Sequence, residues 1–148
     1  MEGPRVSVLV VDDEPPIVEL IQRTLESLGL SVDTAGSAEQ ALLRAADRRP
    51  DLVVLDLMLP GVDGEQLGSE LRRLCGDDLP ILLLSASKEV RSAAYRLGAY
   101  SALDKPFDLE RLEIEVLRGL TSRRESVYPP LGASSAADAA SSAEPSLD

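Results

Sequence analysis

The sequence predicts an α/β fold, a doubly wound sheet of parallel strands with helices on both faces. Three observations lead there. Short apolar runs and helical repeats alternate in five units between Arg5 and Leu120, the pattern of successive strand–crossover–strand connections. Some runs are apolar at consecutive positions, most of all Leu79 to Leu84 (LPILLL), as expected of strands covered on both sides. Right-handed crossovers then leave few arrangements of five strands. Of these the order 2-1-3-4-5 is preferred, a common one for such sheets.

The first run, Arg5 to Val11, is β-branched and stops at Asp12-Asp13. Pro15 and Pro16 fit the first turn of a helix, where a missing N–H is tolerated, with Asp13 or Glu14 placed to cap it. Ile17, Leu20, Ile21, Thr24, Leu25 and Leu28 recur at helical spacing, and Gly29 closes that helix. Leu30 to Thr34 alternates as a short strand. Ser37 with Gln40 has the capping-box pattern, and Ala38, Ala41, Leu42 and Ala45 form the stripe of a second helix. A third strand, Leu52 to Leu55, ends on Asp56, and Pro60-Gly61 and Asp63-Gly64 are turn signals. The third helix is expected from Gly64 to Leu74. The fourth strand ends at Ser85-Ala86, and a helix follows from Lys88 to Leu97, stopped by Gly98. Tyr100 to Leu103 is a weak fifth strand. After the turn Asp104-Lys105-Pro106-Phe107, Asp108 caps a last helix through Leu120.

Composition narrows the function. The chain has 148 residues, enough for one domain with a tail, and a net charge of −11 that argues against a nucleic-acid-binding surface. Aromatics are 3% of the residues, so the core must be built from Leu, Val, Ile and Ala. There is no histidine, which removes His-ligated metals, Ser-His-Asp and Cys-His chemistry. The single cysteine, Cys75, excludes an intramolecular disulfide and is read as a small apolar residue at a helix end. No apolar signal core or membrane-length run is present, so a soluble, cytoplasmic protein is expected, without membrane contact. Residues 1–121 are expected to form the domain. Residues 122–148, almost entirely Ala, Ser, Asp, Glu and Pro beyond 133, are expected to be a disordered acidic tail without an output domain.

In a parallel sheet all strands present their C-terminal ends on one edge. Asp12 and Asp13, Asp56, Ser85 and Lys105 fall at those ends. Each alone has a plain explanation: a helix cap, a strand-end hydroxyl, a solvated loop lysine. Their convergence has a chemical one. Three close carboxylates repel unless a cation sits among them, and a small oxygen-only ligand set favours Mg²⁺ over Ca²⁺. With Lys105 alongside, Asp56 is placed to act as a nucleophile toward phosphorus, and Ser85 and Lys105 to bind the phosphoryl oxygens.

The segments VLVVDDEPPIVELI, DLVVLDLMLPGVDG, PILLLSAS and LDKPFDLERL, in this order and spacing, resemble the receiver domain of bacterial two-component response regulators. The resemblance covers about residues 5–121 and implies a flavodoxin-like fold. It implies that Asp56 accepts a phosphoryl group from the histidine of a sensor kinase or phosphotransfer protein. Asp12 and Asp13 would hold Mg²⁺ with Asp56, and the main-chain carbonyl of Met58 would complete the protein ligands. Ser85, Ala86 and Lys105 would bind phosphate, and the Lys105-Pro106 peptide would be cis. The function implied is a phosphorylation-controlled protein–protein switch that catalyses nothing beyond its own loading and unloading, acting on an unidentified downstream protein. A monomer or a weak phosphorylation-dependent dimer is expected. Pro16, Ile17 and Leu20 on the first helix are the candidate kinase-docking surface.

Several positions depart from the family pattern. Ala102 stands where an aromatic that moves with Ser85 is usual. Tyr100, two residues earlier, would share its strand face and could substitute, although the plainer reading is a partly exposed tyrosine at a strand end. Tyr100-Ser101 replaces an acidic pair that helps build a common dimer face, and the segment from Ser85 to Gly98 is short, which would trim the fourth helix. Met58 and Ser87 sit where dephosphorylation is tuned; a bulky Met58 is expected to obstruct an attacking water. Competing readings are a degenerate receiver serving as a constitutive scaffold and a Mg²⁺-dependent phosphohydrolase using an aspartyl phosphate. The latter is disfavoured because Asp56-Leu57-Met58 lacks a second carboxylate two residues on. A flavin module is disfavoured by the scarcity of aromatics.

Overall fold

The computed structural model describes residues 5–86 and 90–125. Five strands, β1 (Ser7–Val11), β2 (Ser31–Ala35), β3 (Leu52–Asp56), β4 (Ile81–Ser85) and β5 (Ser101–Asp104), alternate with α1 (Pro15–Glu26), α2 (Ala38–Asp47), α3 (Gly64–Cys75), α4 (Val90–Leu97) and α5 (Leu109–Glu125). All pairings are parallel and the order is β2-β1-β3-β4-β5, as the alternating pattern predicts.

The apolar runs divide their side chains between two cores. Leu9, Val11, Val53, Leu55, Ile81 and Leu83 face the layer of α2, α3 and α4. Val8, Val10, Leu52, Val54, Leu82 and Leu84 face α1 and α5. Alternation with period two on strands apolar at every position is what fills both layers. Each fully buried Leu or Ile contributes about 1.5–3 kcal/mol relative to exposure. Cys75 is buried at the last position of α3, in the first of these cores.

Helix ends follow local chemistry, with small departures from expectation. Ser37 Oγ accepts from Gln40 N at 3.1 Å, while Gln40 Oε1 accepts from the Gly36 amide at 2.8 Å, one residue before the capping residue itself. Glu14 is the N-cap residue of α1 but its side chain makes no capping bond; the Asp12 carboxylate takes the Glu14 amide instead, at 3.0 Å. α4 is described from Val90 to Leu97; its expected start at Lys88 lies outside the described residues. α5 continues to Glu125, beyond the boundary expected near 121, since Arg and Glu after Thr121 sustain a helix well. Ser87 and residues 126–148, the expected tail, lie outside the described residues. Among the described residues, no helix is long and apolar enough to cross a membrane.

The turn after β3 aims Asp56 at the sheet edge. The Leu57 amide donates to the Leu84 carbonyl at 2.8 Å. Asp63 then caps α3, accepting from Glu65 N at 3.0 Å and Gln66 N at 3.2 Å. Gly64 begins that helix because a Cβ there would lie 2.8 Å from the Leu57 carbonyl oxygen. Backbone is on the other side of that contact, so a side chain forces the turn itself to move. Gly64→Ala is therefore expected to cost about 1–3 kcal/mol in urea unfolding. An unchanged midpoint would show that the turn yields freely.

Candidate functional site

Three strand ends meet on one ammonium. Lys105 Nζ donates to Asp12 Oδ2 at 2.8 Å, to Glu14 Oε1 at 2.9 Å and to Asp56 Oδ2 at 3.1 Å. Asp12 follows β1, Asp56 ends β3 and Lys105 follows β5. Their approach is a consequence of register, because Val11 pairs with Leu55, Asp56 with Leu84, and Ser85 with Asp104. Lys105 reaches back across the end of β4, where its amide donates to the Ser85 carbonyl at 2.9 Å. The Lys105-Pro106 peptide is cis, as the resemblance implies.

Asp12 and Asp56 are buried, at 1% and 3% exposure, while Asp13 is exposed. One carboxylate oxygen from each of the three lies within 4.8 Å of the others. Asp56 Oδ1 is also held by the Met58 amide, at 2.9 Å. Burial raises the Asp12 carboxyl above its usual range; the Lys105 hydrogen bond and the Glu14 amide pull the other way, and the Asp56 charge adds to the rise. Burial alone would lower the Lys105 ammonium, but hydrogen bonds to Asp12, Glu14 and Asp56 outweigh it and hold it above the ordinary lysine range. The site is thus strongly acidic with one cation inside it. Such a donor set, all hard oxygen and in excess of positive charge, fits a hard divalent cation.

The profile of the family described as response regulator receiver domain matches residues 8–117. The chain belongs to this family. A response regulator of Mycobacterium sp. (strain KMS), MprA, is 46% identical over 109 residues, covering 72% of this chain and 47% of its own length. The receiver domain of NtrX from Brucella abortus aligns with a TM-score of 0.72 at 37% identity, over 78% of this chain and 98% of that one. A CheY-like receiver from Methanospirillum hungatei gives 0.75 at 23% identity, over 82% and 98%, a likeness of fold. The chain spans about half the length of the curated relatives it matches.

Of the residues singled out in this receiver sequence, Asp12, Asp13, Asp56 and Lys105 come together as described. Ser85 is fully buried at the end of β4, and the adjoining Ala86 is exposed. Met58 is 60% exposed beside Asp56. Ala102 packs toward the α2–α4 core. Tyr100 does not share its face, which corrects the placement expected from strand alternation. β5 begins only at Ser101, so strand alternation does not extend to Tyr100, and its ring packs in the other core, toward α5. Its hydroxyl donates to the Glu115 carbonyl at 2.6 Å, and its ring fills the space where a Cβ on Gly119 would come within 2.4 Å. Arg118 lies 5.6 Å from the ring centroid. Burial and the Glu115 charge push the phenol well above its usual range.

One residue at the site was read from the sequence only as a possible helix cap. Glu14 supplies the third carboxylate on Lys105. Its position directly after the acid pair, on the same sheet edge, was the available signal.

The balance of charge predicts how the site fails. Lys105→Met would leave the buried carboxylates Asp12 and Asp56 without their cation, at a cost of about 3 kcal/mol at neutral pH. In that variant the Asp12 carboxyl, raised by burial and no longer opposed by Lys105, takes up its proton in the folded chain before it does in the unfolded one. The folded state then gains stability as pH falls toward the carboxylate range, so the deficit should shrink there. Urea unfolding at several pH values checks this; a deficit constant with pH contradicts it.

Proposed function

We propose that this receiver is a phosphorylation-controlled switch in which Asp56 accepts a phosphoryl group from the histidine of a sensor kinase or phosphotransfer protein. The observation that carries the reading is the Lys105 ammonium bound to both Asp56 and Asp12 at the shared strand edge. Asp12, Asp13, Asp56 and the main-chain carbonyl of Met58 are the residues that would hold Mg²⁺. When bound, the metal neutralises charge on the phosphoryl group and its acceptor.

In the reaction, a carboxylate oxygen of Asp56 bonds to phosphorus as the donor's P–N bond breaks, leaving an acyl phosphate on Asp56 and a neutral imidazole on the donor after protonation. Lys105 pairs with one phosphoryl oxygen, and Ser85 with the neighbouring Ala86 backbone holds another. The burial of Asp56 limits its encounters to small donors or a fitted partner. The exposed faces of Pro16 and Leu20 at the start of α1, with the half-buried Ile17 beside them, are the docking surface we assign to the kinase. An open groove of about 410 Å³ adjoins Asp12 and Asp13 between α1 and the end of β2. Met58, exposed beside the acceptor, and Ser87 would govern water access and so the lifetime of the phosphorylated state.

A second reading, a receiver that binds its partner without phosphorylation, has one observation in its favour. Ala102 offers no aromatic to move with Ser85, and Tyr100 is fastened beneath α5. Incubation with acetyl phosphate and Mg²⁺ followed by intact mass separates the two. The expected result is one added phosphoryl group on the wild type and none on Asp56→Asn. No adduct on either protein would favour the constitutive reading.

A further inference from the structure

An ammonium has three N–H donors and no acceptor. In this structure all three donors of Lys105 have carboxylate partners: Asp12, Glu14 and Asp56. A phosphoryl oxygen that Lys105 is to pair while it approaches Asp56, before the new P–O bond removes the Asp56 charge, must therefore displace one of them. The three are not equally held. The side chain of Asp12 is fully buried and that of Asp56 nearly so, whereas the Glu14 side chain is 57% exposed. A buried carboxylate that loses its cation has no water to turn to, while a half-exposed one is rehydrated at little cost. Glu14 is the partner that leaves.

We infer that Glu14 is a positioning residue for the loading reaction: its carboxylate occupies the Lys105 N–H that the incoming phosphoryl oxygen needs. The inference rests on the reading of Asp56 as phosphoacceptor. Glu14 holds the ammonium over the sheet edge in the resting protein and releases it when the oxygen arrives. The bond to phosphorus forms at Asp56 and the donor's bond breaks; Glu14 exchanges only a hydrogen bond. Its side chain makes no capping bond to α1, so substitution there removes this contact and leaves the fold intact.

The experiment uses the full chain and acetyl phosphate as the probe, with acetate as the leaving group. Initial rates of adduct formation with Mg²⁺ are compared for wild type, Glu14→Ala and Glu14→Asp. Aspartate keeps the charge but is one carbon too short for the contact. Both variants should load about two- to fivefold faster, the range a partly exposed ion pair is worth. A metal-free readout accompanies the rates. The chain has two lysines, Lys88 and Lys105, so lysine side-chain NMR resolves Lys105, and its resonance should shift in both variants.

Equal rates in all three proteins, or an unmoved Lys105 resonance, would overturn the inference while leaving the phosphoacceptor reading intact. So would a fast Glu14→Ala beside a Glu14→Asp that loads like wild type, because charge alone would then explain the effect. A wild type that forms no adduct would overturn the phosphoacceptor reading, and this inference with it.

Discussion

The contact between one ammonium and two buried carboxylates governs the upper edge of this molecule. Asp12 and Asp56 lie where water cannot solvate them, and an isolated buried carboxylate would surrender its charge. Lys105 supplies the positive charge that offsets this, and it can do so only because β1, β3 and β5 end level with one another. The rest of the fold serves that alignment. Two apolar layers fix the strand register, and a one-residue slip in any strand would carry its terminal side chain to the opposite face. The turn through Gly64 and the Asp63 cap then keep Asp56 from being drawn away along β3.

Much of this was legible before any coordinates. Consecutive apolar residues bounded by turn chemistry identify a strand covered on both faces, and five such units leave little choice of topology. Asp12, Asp13, Asp56, Ser85 and Lys105 could be assembled because parallel strands put their C-terminal ends on one edge. That inference needs only strand boundaries correct to a residue or so at that end. The boundaries at the other end were less secure. β4 starts two residues later than its apolar run, because the Leu79 amide turns back to the Gly76 carbonyl and Pro80, with no amide to donate, only accepts from the Val53 amide.

Tyr100 shows where such reasoning stops. Two residues from Ala102, it belonged to the same face by alternation alone. Its ring instead occupies a notch that Gly119 leaves in α5, a contact between positions nineteen apart that no local pattern reveals. The neighbouring Ser101 and Arg118, together with Arg111, converge on Glu115, whose burial would raise its carboxyl but whose hydrogen bonds and ion pairs hold it below the usual range. Tyr100 and Ser101 thus serve to fasten α5 to the sheet. Glu14 escaped notice for a different reason: helix N-termini attract acids for capping, and that ordinary role concealed a tertiary one.

The account stands on Asp56 as the residue that carries phosphate, and its location can be read chemically. Borohydride converts an aspartyl phosphate to homoserine, so protein loaded with acetyl phosphate and Mg²⁺, then reduced and digested, retains a mark at the modified residue. The account predicts homoserine at position 56 and at no other aspartate. Homoserine at Asp12 or Asp13, or its absence from every peptide of a protein shown to carry the adduct, would contradict it.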